Sequence, residues 1–229
     1  LIVIPNVAAS WRVNWGLADV VALTAYGNGG VNTRYEDMAN GNCPFNLTGA
    51  FCGGQLGVSM QQTFLSAAFA KQVAPGLSFG IAPIIAIQSM KVEGVSLFSG
   101  ASIDATNFSD QGSDLTWGGG ARGGVEWKAA KGLTFGVAGN TRLSMGKIDK
   151  YQGLFAEQGK FDIPATLQAG LAVDVRPDVL LLLDYKRVWY GAIPAVNNPT
   201  TNAALFGAND GPGFGLQDID IYKVGVEWR

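Results

Sequence analysis

The chain of 229 residues carries 16 Lys and Arg against 18 Asp and Glu, a net charge of −2, and no histidine. That balance lacks the basic footprint of a nucleic-acid binder. The missing imidazole excludes Ser-His and Cys-His catalysis and the usual His-bearing metal sites, so neither an enzyme nor a cofactor is expected. Glycine is abundant at 32 residues, charged residues make up only 15%, and no stretch nears the ~18 apolar residues of a membrane helix.

Side chains alternate between faces along a strand. Period-two alternation recurs nine times, at about 4–14, 19–27, 61–73, 77–92, 116–128, 133–147, 163–175, 179–190 and 219–229. In the first, Val7, Ala9, Trp11 and Val13 oppose Asn6, Ser10 and Arg12. Strand 77–92 is less regular, because Ile84 interrupts its polar face. Further on, Trp117, Ala121, Val125 and Trp127 oppose Arg122 and Glu126. Leu133, Phe135, Val137, Leu143 and Met145 then oppose Thr134, Asn140, Arg142 and Ser144. In "FDIPATLQAGLAVDVRPD" (161–178), Leu167, Leu171 and Val173 share a face against Gln168 and Asp174. Each stretch is long enough to cross a bilayer at a tilt, for which about 9–11 residues suffice.

Connections sort by length. "NWGLA", "APG", "AAKG" and "RPD" are short, and they alternate with long segments at about 28–60, 93–115, 148–162 and 191–218. Tight periplasmic turns and extended outer loops sort this way in an up-and-down membrane barrel. A soluble sandwich has no reason to do so. The expectation is an all-β fold, an antiparallel up-and-down transmembrane β-barrel, in one domain over 1–229. Its apolar faces look out to lipid, and Trp11, Trp15, Trp117, Trp127, Trp189, Tyr190 and Trp228 near strand ends suit interfacial girdles. Arg12, Arg122, Glu126, Arg142, Gln168, Asp174, Asp184, Lys186, Lys223 and Glu227 then fall in the lumen. Mutual pairing that fills the barrel is the plain alternative to a role in solute passage.

Cys43 and Cys52 stand nine apart in "NCPFNLTGAFC". Two ligands at that spacing make a poor metal site. A loop-closing disulfide in an oxidising compartment is the expected state, with two free thiols in a reduced protein as the alternative.

The stretch "IPNVAASWRVNWGLADVVALTAYGNGGVNTRY" (4–35) resembles a strand–turn–strand unit of the FadL/TodX-type outer-membrane transporters of long-chain fatty acids and aromatic hydrocarbons. "FDIPATLQAGLAVDVRPDVLLLLDYKRVWY" (161–190) and "GLQDIDIYKVGVEWR" (215–229) are similar to later strands of that family. The resemblance implies a 14-stranded barrel with a hatch in its lumen, of which nine strands, the second to the tenth, are expected here. No signal-peptide pattern precedes "LIVIPNVAASW", and the chain is expected to be an internal segment with two edges in need of partners.

Members of this family passively admit hydrophobic molecules at the outer membrane of Gram-negative bacteria. The resemblance implies the same here, with a hydrophobic small molecule and outer-membrane lipid as partners and a monomer as the full-length state. A ligand would settle in an apolar groove between the loops at 93–115 and 148–162, formed by Leu97, Phe98, Phe108, Leu154, Phe155 and Phe161. Exposed apolar loop residues also suit packing of the loops on one another. A lateral exit would lie where Gly27, Gly29 and Gly30 allow a strand to kink, although these glycines would equally serve to start a surface loop. Two other functions remain open: a polar-solute porin, favoured by charged lumen positions, and a non-transporting surface protein such as an adhesin or phage receptor.

Overall fold

The structure is a computed structural model that describes residue 4, residues 6–28 and residues 30–228. Its strands are β1 (Asn6–Trp15), β2 (Ala18–Asn28), β3 (Asn32–Tyr35), β4 (Leu56–Ala74), β5 (Leu77–Glu93), β6 (Asp114–Ala130), β7 (Leu133–Asn140), β8 (Ser144–Met145), β9 (Thr166–Arg176), β10 (Val179–Val188) and β11 (Ile219–Trp228). They build one sheet along the path β1-β2-β4-β5-β6-β7-β9-β10-β11, with β3 on β4 and β8 on β6. All its pairings are antiparallel. Two-residue turns join β1 to β2, β4 to β5, β6 to β7 and β9 to β10. Every other crossing, apart from the two strand breaks, is a long loop at the opposite end.

Burial along β5 separates the faces. Ala82, Ile84 and Ala86 are buried, whereas Phe79, Ile81 and Ile85 are about half exposed. Cross-strand register carries this parity through the sheet. Phe135 and Leu183 flank Leu171 on the outer face, and Gly170 and Lys223 flank Asp184 on the inner one. Arg122 on β6 reaches the Tyr26 hydroxyl on β2, at 3.4 Å. Those strands lie three spacings apart, roughly 14 Å along the sheet. The inner face is therefore concave.

Two strands break at the loop end, each by one extra residue. Asn28 pairs Gln62 and Asn32 pairs Ser59, so four steps oppose three between β2 and β3. Asn140 pairs Arg122 and Ser144 pairs Gly119, the same mismatch between β7 and β8. An inserted residue is a β-bulge, and it moves the following side chains to the other face.

This corrects the alternation expected across 133–147. Leu143 and Met145 lie inside, each 2% exposed, rather than with Phe135 on the outer face. The strand expected from 163 begins at Thr166 because Pro164 has no N–H for the ladder, although Leu143 and Ile163 still exchange backbone bonds beyond the gap. Strand β4 starts at Leu56, earlier than the alternation indicates.

The second bulge needs a bare backbone opposite it. A Cβ on Gly118 would collide with the Ser144 carbonyl oxygen and stand 2.7 Å from the Met145 Cα. Gly118→Ala is expected to destabilise by about 1–3 kcal/mol, the usual cost of overfilling a tight site. Gly123→Ala, whose nearest neighbour would be the Gly80 carbonyl oxygen at 3.8 Å, is expected to stay within about 0.5 kcal/mol of the parent. Urea unfolding of both variants followed by tryptophan fluorescence checks the contrast.

Candidate functional site

The inner face has two zones. Near the loop end its side chains are Val58 and Met60 on β4 and Met90 and Val92 on β5. Onto them fold Ile148, Tyr151, Phe155, Ala156 and Phe161 of the β8–β9 loop, and Ile193, Ala195 and Val196 of the β10–β11 loop. Phe155 meets Tyr151 and Phe161 edge to face, at 6.5 and 5.3 Å between ring centres. The Tyr151 hydroxyl donates to the Gly112 carbonyl at 2.6 Å, and burial pushes its phenol above the ordinary value. A second cluster of Phe64, Ile84, Ala86, Leu143, Met145 and Ile163 adjoins the bulge between β7 and β8. These clusters make an apolar roof over the sheet.

Polar clamps hold the roof. The Asp162 carboxylate, 2% exposed, accepts from Arg142 at 2.6 Å, from Lys160 at 3.3 Å and from the Met145 amide at 2.8 Å. Arg142 also donates to the Ala192 carbonyl, joining the two long loops. Buried Gln88 accepts from Gln62 at 2.7 Å and donates to the Phe161 carbonyl at 3.4 Å. Asp104 accepts from the side chains of Thr106, Asn107 and Gln152 and from the Thr106 amide. The Thr106 hydroxyl bond first, then the Asn107 bond, hold that carboxyl well below the usual range.

Below the roof lies an open cavity of about 530 Å³. Its floor is small-chained, including Ala68, Gly80, Ala82, Gly124 and Ala138, with Arg122, Glu126, Gln168 and Asp184 as its ionic and amide groups. Arg122 is oriented by Asn140 Oδ1, at 2.7 Å from its Nε. Among the described residues, no group of three or more Cys, Asp or Glu could hold a metal ion.

Of the lumen positions expected from alternation, Arg122, Glu126, Gln168 and Asp184 thus share this cavity. Lys186 sits further along β10, opposite Gln168 and Ile221. Arg142 does not line the cavity. It follows the bulge and is committed to Asp162.

The six expected groove residues are not brought to one open site. Phe108, Phe155 and Phe161 are buried, Phe108 against Phe206 at 5.4 Å, and Leu154 backs the roof. Leu97 and Phe98 stay exposed, with Phe98 edge-on to Phe51 at 5.7 Å. Phe51 belongs to a loop closed by the disulfide between Cys43 and Cys52.

Gly27 pairs Thr63 within β2 and Gly29 lies outside the described residues. Gly30 sits in the first break, where a Cβ would strike the Met60 carbonyl oxygen. Trp189 and Tyr190 are only partly exposed, and Tyr190 packs on the roof instead of a girdle. Sequence reading missed Tyr26, Met90, Val92, Ile193 and Val196. The signal for the β5 pair was there in Ile84, the apolar interruption of a face that continues through Met90 and Val92.

A meander of long antiparallel strands, with tight turns at one end, long loops at the other and an apolar outer face, is the wall of a β-barrel. Solved structures sharing this wall are transport channels. The chain resembles the P. putida toluene transporter TodX with a TM-score of 0.65 and 15% identity, over 96% of this chain and 63% of that one. It also resembles the Ralstonia pickettii toluene transporter TbuX, at 0.63 and 15%, over 97% and 64%. The CymD monoaromatic hydrocarbon channel aligns at 0.61 and 16%, over 100% and 65%. The chain has the fold of these channels and spans less than two thirds of their length. No family model matches the sequence, and no curated protein matches it significantly.

Two outcomes follow from the clamps. Asp162→Ala strands two cations that are partly solvated, so a loss of about 2–3 kcal/mol is expected, below that for a fully buried pair. Thermal unfolding measures it. Asp104 has a folded-state value below its unfolded one, so its contribution is complete above about pH 4 and is lost as the pH falls further. Hydrogen-exchange protection at the Thr106 and Asn107 amides is expected to hold from pH 7 to about pH 4 and to decline below it.

Proposed function

We propose that this chain forms wall and outer loops of an outer-membrane channel for passive uptake of hydrophobic compounds, fatty acids or aromatic hydrocarbons, in a Gram-negative bacterium. One observation carries the membrane reading. Trp117 and Trp127, 75% and 50% exposed, stand on the outer face of β6 ten residues apart. That is about 33 Å along the strand, or roughly 25 Å at the usual barrel tilt, the height of the apolar band between aromatic girdles. Leu23, Phe69, Phe79, Ile81 and Val125 fill the same face with exposed apolar surface. No helix among the described residues is long and apolar enough to cross a membrane, so strands would make the crossing. In the whole barrel β1 and β11 would pair with further strands, since an unpaired edge is prohibitive in lipid.

The inner face supports a hydrophobic cargo. Its roof is apolar, and its lower cavity is floored by alanine and glycine with few charges. A polar-solute pore would carry a wet, charged constriction at that level. The toluene and monoaromatic transporters that share the fold support the same reading.

Leu171→Arg places a charge on the outer face and is expected to cost about 2–4 kcal/mol if it lies at the bilayer midplane. Gln168→Arg, on the inner face, is expected to insert normally. Heat-modifiable gel mobility of the full-length protein in outer membranes separates the two. Protein-dependent uptake of labelled toluene or a labelled fatty acid by cells tests the transport itself. Uptake equal to that of cells without the protein would overturn it.

A further inference from the structure

Arg122 has a geometry that the wall itself does not require. It is the only cationic side chain among those lining the lower cavity. The ion pairs of the described residues all use other cations. Its two side-chain partners are neutral, Asn140 Oδ1 at 2.7 Å and the Tyr26 hydroxyl at 3.4 Å. Its guanidinium carbon stands 5.9 Å from the Tyr26 ring centre, and that ring stacks on Phe64 at 5.1 Å. A planar cation is thereby fixed against one aromatic ring and lines a cavity floored by Ala68, Ala70, Gly80, Ala82 and Gly124.

Charge decides which ligand this suits. The cavity holds one cation, Arg122, and two carboxylates, Glu126 and Asp184. An anion drawn to Arg122 would face two like charges, at a cost in a confined site. A neutral ring has no such cost, and its negative π-face is attracted to a guanidinium. The small floor leaves room for a flat ring beside it.

We propose that Arg122 is a selectivity residue of the channel, favouring aromatic over saturated apolar solutes by offering a cation to the ring face. This rests on the uptake reading above. An accessible contact of this kind supplies about a two- to fivefold preference.

The test uses cells making the full-length protein and compares protein-dependent uptake of toluene, methylcyclohexane and pentafluorotoluene. The cycloalkane has no π-face, and fluorination reverses the ring quadrupole while preserving its shape. Toluene is expected to enter about two- to fivefold faster than either. Arg122→Leu is expected to bring the three rates together, and Arg122→Lys to retain part of the preference. Equal entry of toluene and pentafluorotoluene through the unmodified protein would overturn the proposal and leave the channel reading standing. A ratio unchanged in a folded Arg122→Leu protein would overturn it too. No protein-dependent entry of any of the three would sink both. The comparison in the unmodified protein needs no variant to fold.

Discussion

A strand shows its neighbours to opposite sides in strict turn, and an antiparallel ladder locks that turn-taking across every partner. The sheet keeps one phase from β1 to β11, so that Trp11, Leu23, Phe69, Ile81, Val125, Val137, Leu171 and Val224 share one side. Everything on the inner side depends on that phase. The cavity exists because the residues opposite those large ones are alanine and glycine. The two loop-end bulges reset that phase beneath the roof, while the other register shifts, at Arg12/Trp15, Gln72/Ala74, Lys128/Ala130 and Val179/Leu180, lie beside the tight turns. Resetting it there turns Leu143 and Met145 inward, and these become the base on which the roof closes.

The roof and the cavity divide the inner face by chemistry. Above, aromatic and aliphatic chains from two loops meet strands β4 and β5 and exclude water. Below, Arg122, Glu126, Gln168 and Asp184 stand on a floor with almost no side chain. Tyr26 and Phe64 lie at the border, stacked on one another and touched by Arg122. A solute crossing this border would leave an apolar setting for one with a few fixed charges. On the proposed uptake reading, the border is where side-chain chemistry would have the most leverage over what passes.

The strands were legible because a sheet with one outer and one inner face imposes a period of two, and most of them fall within a few residues of where alternation puts them. The short turns and long loops were legible for a related reason, since only one end of the wall must be tight. Two things were hidden. A single extra residue leaves alternation intact on either side, so the bulge in 140–144 reads as an unbroken strand while its faces have exchanged. Loop residues have no period at all. Phe108, Phe155 and Phe161 looked available for a ligand, yet Phe155 and Phe161 pack on one another and Phe108 packs on Phe206, which covers their apolar surface. Arg122 was readable as a lumen residue, but its meeting with Tyr26, 96 positions away in sequence, depends on curvature that no local pattern records.

The tight turns do more than reverse the chain. The Gly76 carbonyl in the β4–β5 turn accepts the Lys128 amide of β6, and the Gly132 carbonyl in the β6–β7 turn accepts the Asp174 amide of β9. Each hairpin is thus stitched to the next one to be synthesised, at the end where the chain reverses most sharply. Each of these contacts joins hairpins that are consecutive in the chain, across one intervening outer loop, and the entropy of closing such a loop rises only slowly with its length. The wall can grow by accretion, one hairpin docking on the rim left by the last. Its outer loops need not find their partners in the roof until the strands beneath them are already in place.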